Sequence, residues 1–304
     1  MSFHVPVMLR ECVEGVVSDP RGFYLDATVG GGGHSRAILQ ALQPPGRLIG
    51  VDRDAEALDR ARQGLADFAG QVDLIEGRFG DLGQILEGRE GLQGGLFDLG
   101  VSSHQIDEGG RGFSYRQDGP LDMRMEPGQG ATAADLIADL SEAELTDLIR
   151  RYGEERQARR IARSIGQYRR QHGIESTADL RQAIEQTRPQ HLPKTLARVF
   201  QALRIAVNDE LAQLERGLEA VLQRLVSGGR LAVIAYHSLE DRLVKRRLAV
   251  LLKGCTCPPD LPVCACGKKP TFQKYGGGIR RASTAEVGQN RRARSAVLRV
   301  YEKL

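Results

Sequence analysis

Long apolar runs are missing from this 304-residue chain: none approaches the roughly 18 consecutive residues that read as a membrane span, which argues against a membrane protein. The opening Met1-Ser-Phe-His-Val-Pro lacks the basic and apolar regions of a signal peptide, so a cytoplasmic protein is expected. Cysteine is scarce, with five in all, and a cytosolic setting disfavours disulfides. Positive charge is scarce in the first half. Residues 1–149 carry 12 basic and 25 acidic side chains, net −13, whereas residues 150–304 carry 31 and 14, net +17. Eight arginines lie between Arg150 and His172, and fifteen basic residues between Arg242 and Leu304. A solvated helix face would account for either cluster alone. Two of them opposite an acidic half suggest a nucleic-acid partner, because clustered cations supply phosphate contacts and steering. With 41% hydrophobic and 27% charged residues, the chain can bury one sizeable core or a core plus an inserted subdomain.

The segment Tyr24-Leu-Asp-Ala-Thr-Val-Gly-Gly-Gly-Gly-His34 is an apolar β-run that ends in consecutive glycines and opens into a helical stretch. Such a turn lets the backbone approach a ligand where a Cβ would not fit. Asp52 then ends the next strand, at the place where a carboxylate accepts hydrogen bonds from both hydroxyls of an adenosine ribose. The glycine run alone leaves dinucleotides and S-adenosylmethionine both open. A dinucleotide fingerprint wants Gly-x-Gly-x-x-Gly and a pyrophosphate on the helix N-terminus. Here Asp26 precedes a compact run, Gly30 to Gly33, and an acidic strand end suits an ammonium-bearing ligand better, which favours the sulfonium cofactor.

Alternation of short β-rich runs with amphipathic stretches marks the first hundred residues as doubly wound α/β. Strands are expected at 23–28, 47–52, 72–76 and 96–101, and Ala57, Leu58, Ala61, Leu65 and Phe68 recur at helical spacing. From about residue 126 to 225 only helical periodicity appears, which reads as a basic helical insertion, with Ser141-Glu-Ala-Glu144 a capping box. The α/β pattern resumes with an apolar stripe from Leu211 to Leu225, a strand at 231–236, a helix at 239–252, a loop of about forty residues, and a closing strand near 294–301. The expected boundaries are 1–108 with 200–304 for the α/β domain and 109–199 for the insertion.

Asp98-Leu-Gly-Val-Ser-Ser103 lies at the carboxyl end of the fourth strand, where ligands bind in open α/β sheets. Transfer of a methyl group to an exocyclic amine requires an acceptor that orients the lone pair and a later loss of a proton; Asp98, Ser102 or a backbone carbonyl in this turn could do the orienting, with Asp98, Ser102 and Ser103 lining the pocket. The alternative is a loop-capping carboxylate with turn-forming serines. His237, after the fifth strand, opens on the same edge as a base or substrate contact; the bland account makes it structural, with Ser238 and Asp241 forming a capping box. In the segment from Gly112 to Met125, aromatic planes such as Phe113 and Tyr115 and the arginine planes could stack a flipped base, or Phe113, Met123 and Met125 could simply pin the insertion to the core. Cys255, Cys257, Cys264 and Cys266 form a C-x-C…C-x-C pattern, less typical of zinc than C-x-x-C, so a structural zinc is open and no catalytic metal is expected.

With these motifs in place, the chain resembles the bacterial 16S ribosomal RNA cytosine-N4 methyltransferases of the RsmH (MraW) type. The resemblance runs nearly end to end, through His4–Leu9, Asp26–Ser35, Asp98–Ser103, Arg111–Ser114, Asp118–Met125, Tyr152–Arg156, Phe200–Ile205, His237–Arg242 and Asn290–Ser295. It implies a class I, Rossmann-like S-adenosylmethionine-dependent methyltransferase domain with a helical insertion that helps bind RNA. It also implies cofactor contacts at Gly32, Gly33, His34, Asp52, Phe79, Asp98 and Gln105. The implied substrate is the N4 amine of a cytidine in the decoding centre of 16S rRNA, with the assembled small subunit as expected partner. The sequence departs from the family pattern at His104 and at Asn290-Arg291, where prolines are usual at positions 104 and 291. A DNA amino-methyltransferase is the nearest rival, but Asp98–Ser103 lacks the Pro-Pro-aromatic tetrapeptide of those enzymes. A non-enzymatic RNA-binding assembly factor and a nicotinamide dehydrogenase are more distant rivals.

Overall fold

The structure is a computed structural model that describes residues 6–89, 91–100, 109–126, 128–255, 257–258, 263 and 266–304. Two compact units divide the chain, one of residues 1–100 and 211–304, the other of 101–210.

In the first unit, seven strands among the described residues form one sheet in the order β3-β2-β1-β4-β5-β7-β6. These are β1 Phe23–Asp26, β2 Arg47–Asp52, β3 Val72–Glu76, β4 Leu92–Asp98, β5 Leu225–Ala235, β6 Phe272–Arg281 and β7 Val297–Lys303. The first five run parallel and β7 is antiparallel to both its neighbours. Period-2 alternation assigns the two faces. Tyr24, Leu48, Leu96, Ala232, Ile234, Leu298 and Val300 pack in one apolar cluster with residues of α1 Leu9–Val16, α2 Gly33–Ala41 and α3 Ala55–Gly64. Leu25, Ile49, Phe97, Leu231, Val233 and Tyr301 pack in a second, with residues of α4 Leu82–Ile85, α10 Glu210–Arg224 and α11 Ser238–Lys253. Helices on both faces explain why the parallel strands read as continuous apolar runs. The chain reverses direction across the sheet between β1 and β4, so a crevice is expected beyond the carboxyl ends of those strands.

The expected loop of about forty residues before the last strand is corrected: it contains β6 and a short helix, α12 Thr284–Gln289. β6 is an edge strand, mostly exposed, and its pairing with β7 shifts register between Lys274 and Ile279, around three glycines with positive φ. An exposed, bulged edge carries no apolar alternation, which is the signal a strand is normally read from.

The second unit is helical, with α5 Ala133–Asp139, α6 Glu142–Gly153, α7 Ala158–His172, α8 Thr177–Glu185 and α9 Leu192–Asn208 around its own core, including Ile149, Ile161, Ile165, Leu180, Val199 and Leu203. The capping box at Ser141 is present: the Glu144 amide donates to Ser141 Oγ at 3.2 Å, and Glu144 Oε2 accepts from the Ser141 amide at 2.9 Å. Thr132 with Asp135 and Ser176 with Asp179 do the same for α5 and α8. The compact units meet in sequence at 100/101 and 210/211, where the sequence pattern suggested 108/109 and 199/200. α9 runs unbroken through position 200, and its buried face belongs to the helical core.

Candidate active site at the sheet edge

Three turns converge beyond the carboxyl ends of β1, β2 and β4. The first follows β1. Asp26 ends that strand fully buried; its Oδ1 accepts from the Thr28 amide at 3.1 Å and its Oδ2 from Ser35 Oγ at 2.6 Å. Burial pushes its carboxyl up from the ordinary value, while His34 and these hydrogen bonds pull it back. The reading of Asp26 as a carboxylate facing an ammonium-bearing ligand is therefore corrected: it has no exposed surface and ties the turn to the first turn of α2 instead.

Gly30 (φ 51°) and Gly32 (φ 82°) adopt the left-handed conformation that glycine takes without steric cost. A Cβ on Gly30 or Gly31 would meet nothing within 4 Å, so the backbone there borders open space, whereas one on Gly33 would lie 2.3 Å from Pro6 Cγ. The Gly30 amide donates to Asp52 Oδ2 at 2.8 Å, and Oδ1 of the same carboxylate accepts from the Asp54 amide at 3.0 Å. Asp52 thus fastens the glycine turn to the end of β2. Burial raises its carboxyl from the ordinary value, partly countered by the two amides. A carboxylate offers about four lone-pair sites, so acceptor capacity remains for a ligand's hydroxyls. Asp54 caps α3 by accepting from the Glu56 and Ala57 amides.

At the end of β4 the Asp98 amide donates to Thr28 Oγ1 at 2.7 Å, which holds the first and fourth strand ends together. Asp98 Oδ1 accepts from the Gly100 amide at 3.3 Å, and Oδ2 lies 3.7 Å from His34 Nδ1. His34 is buried, with Nε2 3.0 Å from the Val7 carbonyl oxygen. Phe79, in a one-turn helix after β3, packs edge-on against Phe97 with centroids 5.8 Å apart, and is backed by Gly217 of α10, where a Cβ would press on it at 3.0 Å. Gly32, Gly33, His34, Asp52, Phe79 and Asp98 accordingly all lie in these turns or on their flank. Ser102, Ser103, His104, Gln105, His4 and Cys264 lie outside the described residues.

Tyr236, which from its sequence is only the last residue of a strand, stands against this turn. A Cβ on Gly100 would sit 3.1 Å from its Cζ. Burial, then the charge and hydrogen bond of Asp98, push its phenol far above the ordinary value. A tyrosine closing an apolar run is a signal for such a contact, since a buried ring needs a partner for its hydroxyl. The expected Ser238–Asp241 capping box is corrected by one residue. His237 is the N-cap of α11: its Nδ1 accepts from the Glu240 amide at 3.4 Å, while Glu240 Oε2 accepts from the Tyr236 and His237 amides at 2.8 and 3.2 Å. Asp241 instead grips Arg299 of β7 at 2.5 Å. Among the described residues no aligned partner reaches the buried His237 Nε2, although Glu240 Oε1 is 3.1 Å away.

In the helical unit, α7 buries Ala158, Ile161, Ala162 and Ile165 and exposes Arg159, Arg160 and Arg163, which line a groove with Arg156. Arg169 of the same helix is structural, donating to the carbonyls of Ile137, Ala138 and Leu140. Phe113 and Met123 both belong to the helical core, Met123 fully buried, and Tyr115 packs edge-on against Phe200 at 5.8 Å, so these three side chains pin the unit.

A mixed sheet in this order, with one antiparallel strand next to the edge, a glycine turn after β1 and acidic residues ending β2 and β4, defines a class I, Rossmann-like methyltransferase domain. The chain belongs to the MraW methylase family, whose model it matches over residues 1–304. It is 50% identical over 311 residues to a protein of Symbiobacterium thermophilum named ribosomal RNA small subunit methyltransferase H, covering 100% of this chain and 98% of that one. Relatives of the same name from Heliobacterium mobile and Trichlorobacter lovleyi are each 48% identical, with 99% of this chain and 99% and 98% of theirs covered.

Proposed function

We propose that this protein transfers a methyl group from S-adenosylmethionine to the N4 amine of a cytidine in the decoding centre of 16S rRNA, acting on the assembled small subunit in the cytoplasm. The observation that carries the reading is the convergence of the Gly30–His34 turn, the Asp52 carboxylate and Asp98 on one edge of a class I sheet. The relatives' shared name supports rRNA of the small subunit as the substrate class.

The residues fit the cofactor. Open space beside Gly30 and Gly31, left-handed backbone at Gly30 and Gly32, and a carboxylate with spare lone pairs form a cradle that side chains larger than glycine would intrude on. Bound S-adenosylmethionine supplies an electrophilic methyl group on a sulfonium. The turn from Gly30 to His34 would hold its methionine portion, Asp52 would accept from the ribose hydroxyls, and Phe79 would supply an apolar face for the adenine. Asp98, with Ser102 and Ser103, orients the cytosine amine, and Gln105 adds a cofactor contact. Asp98 is held for this work by the Thr28 hydroxyl, the Gly100 amide and Tyr236. His237 serves as a substrate contact through the edge of its ring, since Nε2 is buried beside Glu240 Oε1 and Nδ1 is held by the Glu240 amide. No strong base is needed: the amine becomes acidic once alkylated and sheds its proton to an acceptor or to water. The exposed arginines of α7 bind RNA phosphates.

The test is tritium transfer from labelled S-adenosylmethionine to small subunits from cells lacking this protein, followed by digestion to nucleosides. Label in N4-methylcytidine is expected. Label in another nucleoside, or none on particles and free rRNA despite demonstrated cofactor binding, overturns the reading and brings DNA or a non-enzymatic role forward.

A further inference from the structure

The sequence left open whether the clustered cysteines do anything together. In the fold, the Sγ atoms of Cys255, Cys257 and Cys266 all lie within 4.8 Å of one another, and those of Cys255 and Cys266 are 3.7 Å apart. A disulfide would bring two sulfurs to about 2.05 Å. Tetrahedral zinc with bonds of about 2.3 Å to thiolates sets its sulfurs about 3.8 Å apart. The Cys255–Cys266 spacing is that of two ligands on a common ion, and Cys257 lies within reach of the same point.

The surroundings show why the segment needs one. α11 ends at Lys253, and Gly254 turns the chain with φ 67° against the returning backbone: a Cβ there would lie 2.3 Å from the Lys269 carbonyl carbon. Two residues later the Thr271 amide donates to the Leu251 carbonyl at 2.9 Å, and β6 begins at Phe272. The loop therefore leaves and returns at one point. Among its described residues from 254 to 270 none is buried, and Val263 is 76% exposed. Described residues that bury nothing apolar have little to offset the entropy of ordering, and a metal is the usual substitute for a core. Lys253, Lys268 and Lys269 are exposed on the same segment, positive charge that offsets the excess negative charge of several thiolates on one divalent ion.

We infer that Cys255, Cys257 and Cys266 hold a structural zinc ion that closes the loop between α11 and β6. Soft thiolates select zinc over magnesium or calcium. Cys12 is a separate, buried core residue whose thiol burial pushes up. The site is remote in kind from the methyl-transfer chemistry and stands whether or not that assignment does.

The experiment uses the full chain, purified without a histidine tag under reducing conditions from zinc-containing medium, with metal measured by mass spectrometry. About one zinc per chain is expected, falling to near zero in each of Cys255→Ser, Cys257→Ser and Cys266→Ser. Because a variant could lose metal by misfolding, the wild-type chain is also stripped with a chelator and titrated with cobalt. Uptake with the intense near-ultraviolet thiolate band is expected, together with maleimide labelling of Cys255, Cys257 and Cys266 that rises on stripping while Cys12 stays protected. No zinc and no cobalt uptake would overturn the inference. So would a Cys255–Cys266 disulfide in protein kept anaerobic, an iron–sulfur chromophore, or full zinc content in all three variants.

Discussion

Replacing Asp52 by alanine tests the cofactor site at its most constrained point. The wild-type carboxylate accepts from the Gly30 amide at 2.8 Å and the Asp54 amide at 3.0 Å, so it both shapes the glycine turn and keeps lone pairs for two ribose hydroxyls. Hydrogen bonds to a charged acceptor contribute about 1.5–3 kcal/mol each, and ligand hydroxyls recover part of this from water. A net loss of about 2–4 kcal/mol in binding corresponds to an affinity about 30- to 1,000-fold weaker. The two backbone amides also lose their acceptor, at about 1–3 kcal/mol of stability for a group left dry. Asp52→Asn retains one acceptor oxygen but must turn an NH2 toward one of the two amides, so it should fall between wild type and alanine. Calorimetry with S-adenosylhomocysteine reads the affinity and a thermal melt reads the fold. The charge leaves a further signature. Since burial raises the Asp52 carboxyl, wild-type affinity should decline with acid from above the ordinary carboxylate range, as the acceptor protonates, while Asp52→Asn shows no such decline from this group. A folded Asp52→Ala protein that binds within a factor of about three of wild type would refute the assignment of the ribose to this carboxylate.

Tyr236→Phe keeps the ring over Gly100 and removes the hydroxyl that faces Asp98; kcat should fall about tenfold with cofactor affinity unchanged, and an unaltered kcat would remove Tyr236 from the site. Asp26→Ala should cost about 1–3 kcal/mol in urea unfolding by stranding the Thr28 amide and Ser35 hydroxyl. Asp26→Asn carries a sign. A carboxyl raised by burial contributes stability that is present below its unfolded pKa and drains away as pH rises through the folded value, so wild type should lose ground to Asp26→Asn from acid to neutral pH. A stability difference that does not move with pH would contradict this. Arg159→Ala with Arg160→Ala should weaken rRNA binding and lower the slope of log affinity against log salt by about 1.4–1.8, leaving S-adenosylhomocysteine affinity as it was. An unchanged slope would place the RNA elsewhere.

Much of the fold is legible in the chain because its signals are local. Arg47–Asp52 and Val72–Glu76 were expected as strands and are strands to the residue, since each is a short β-rich segment between helical stretches. The capping box at Ser141 requires only four residues in order. The glycine run after β1 and the aspartate ending β2 announce a turn and a carboxylate whatever surrounds them. Three matters belonged to the tertiary structure. β6 exists because β7 pairs with it, and an exposed, glycine-broken edge leaves no pattern in its own residues. Asp26 looked like a ligand contact, yet Thr28 and Ser35 enclose it, and burial is a property of the neighbours rather than of the aspartate. The thiols show the same limit. C-x-C spacing does not say where sulfurs meet; the return of the chain past Gly254 brings Cys266 to within 3.7 Å of Cys255. Composition and period act over a few residues and can be read along the chain, whereas the partners of a carboxylate, a tyrosine hydroxyl or a thiol are brought close only when distant segments pack.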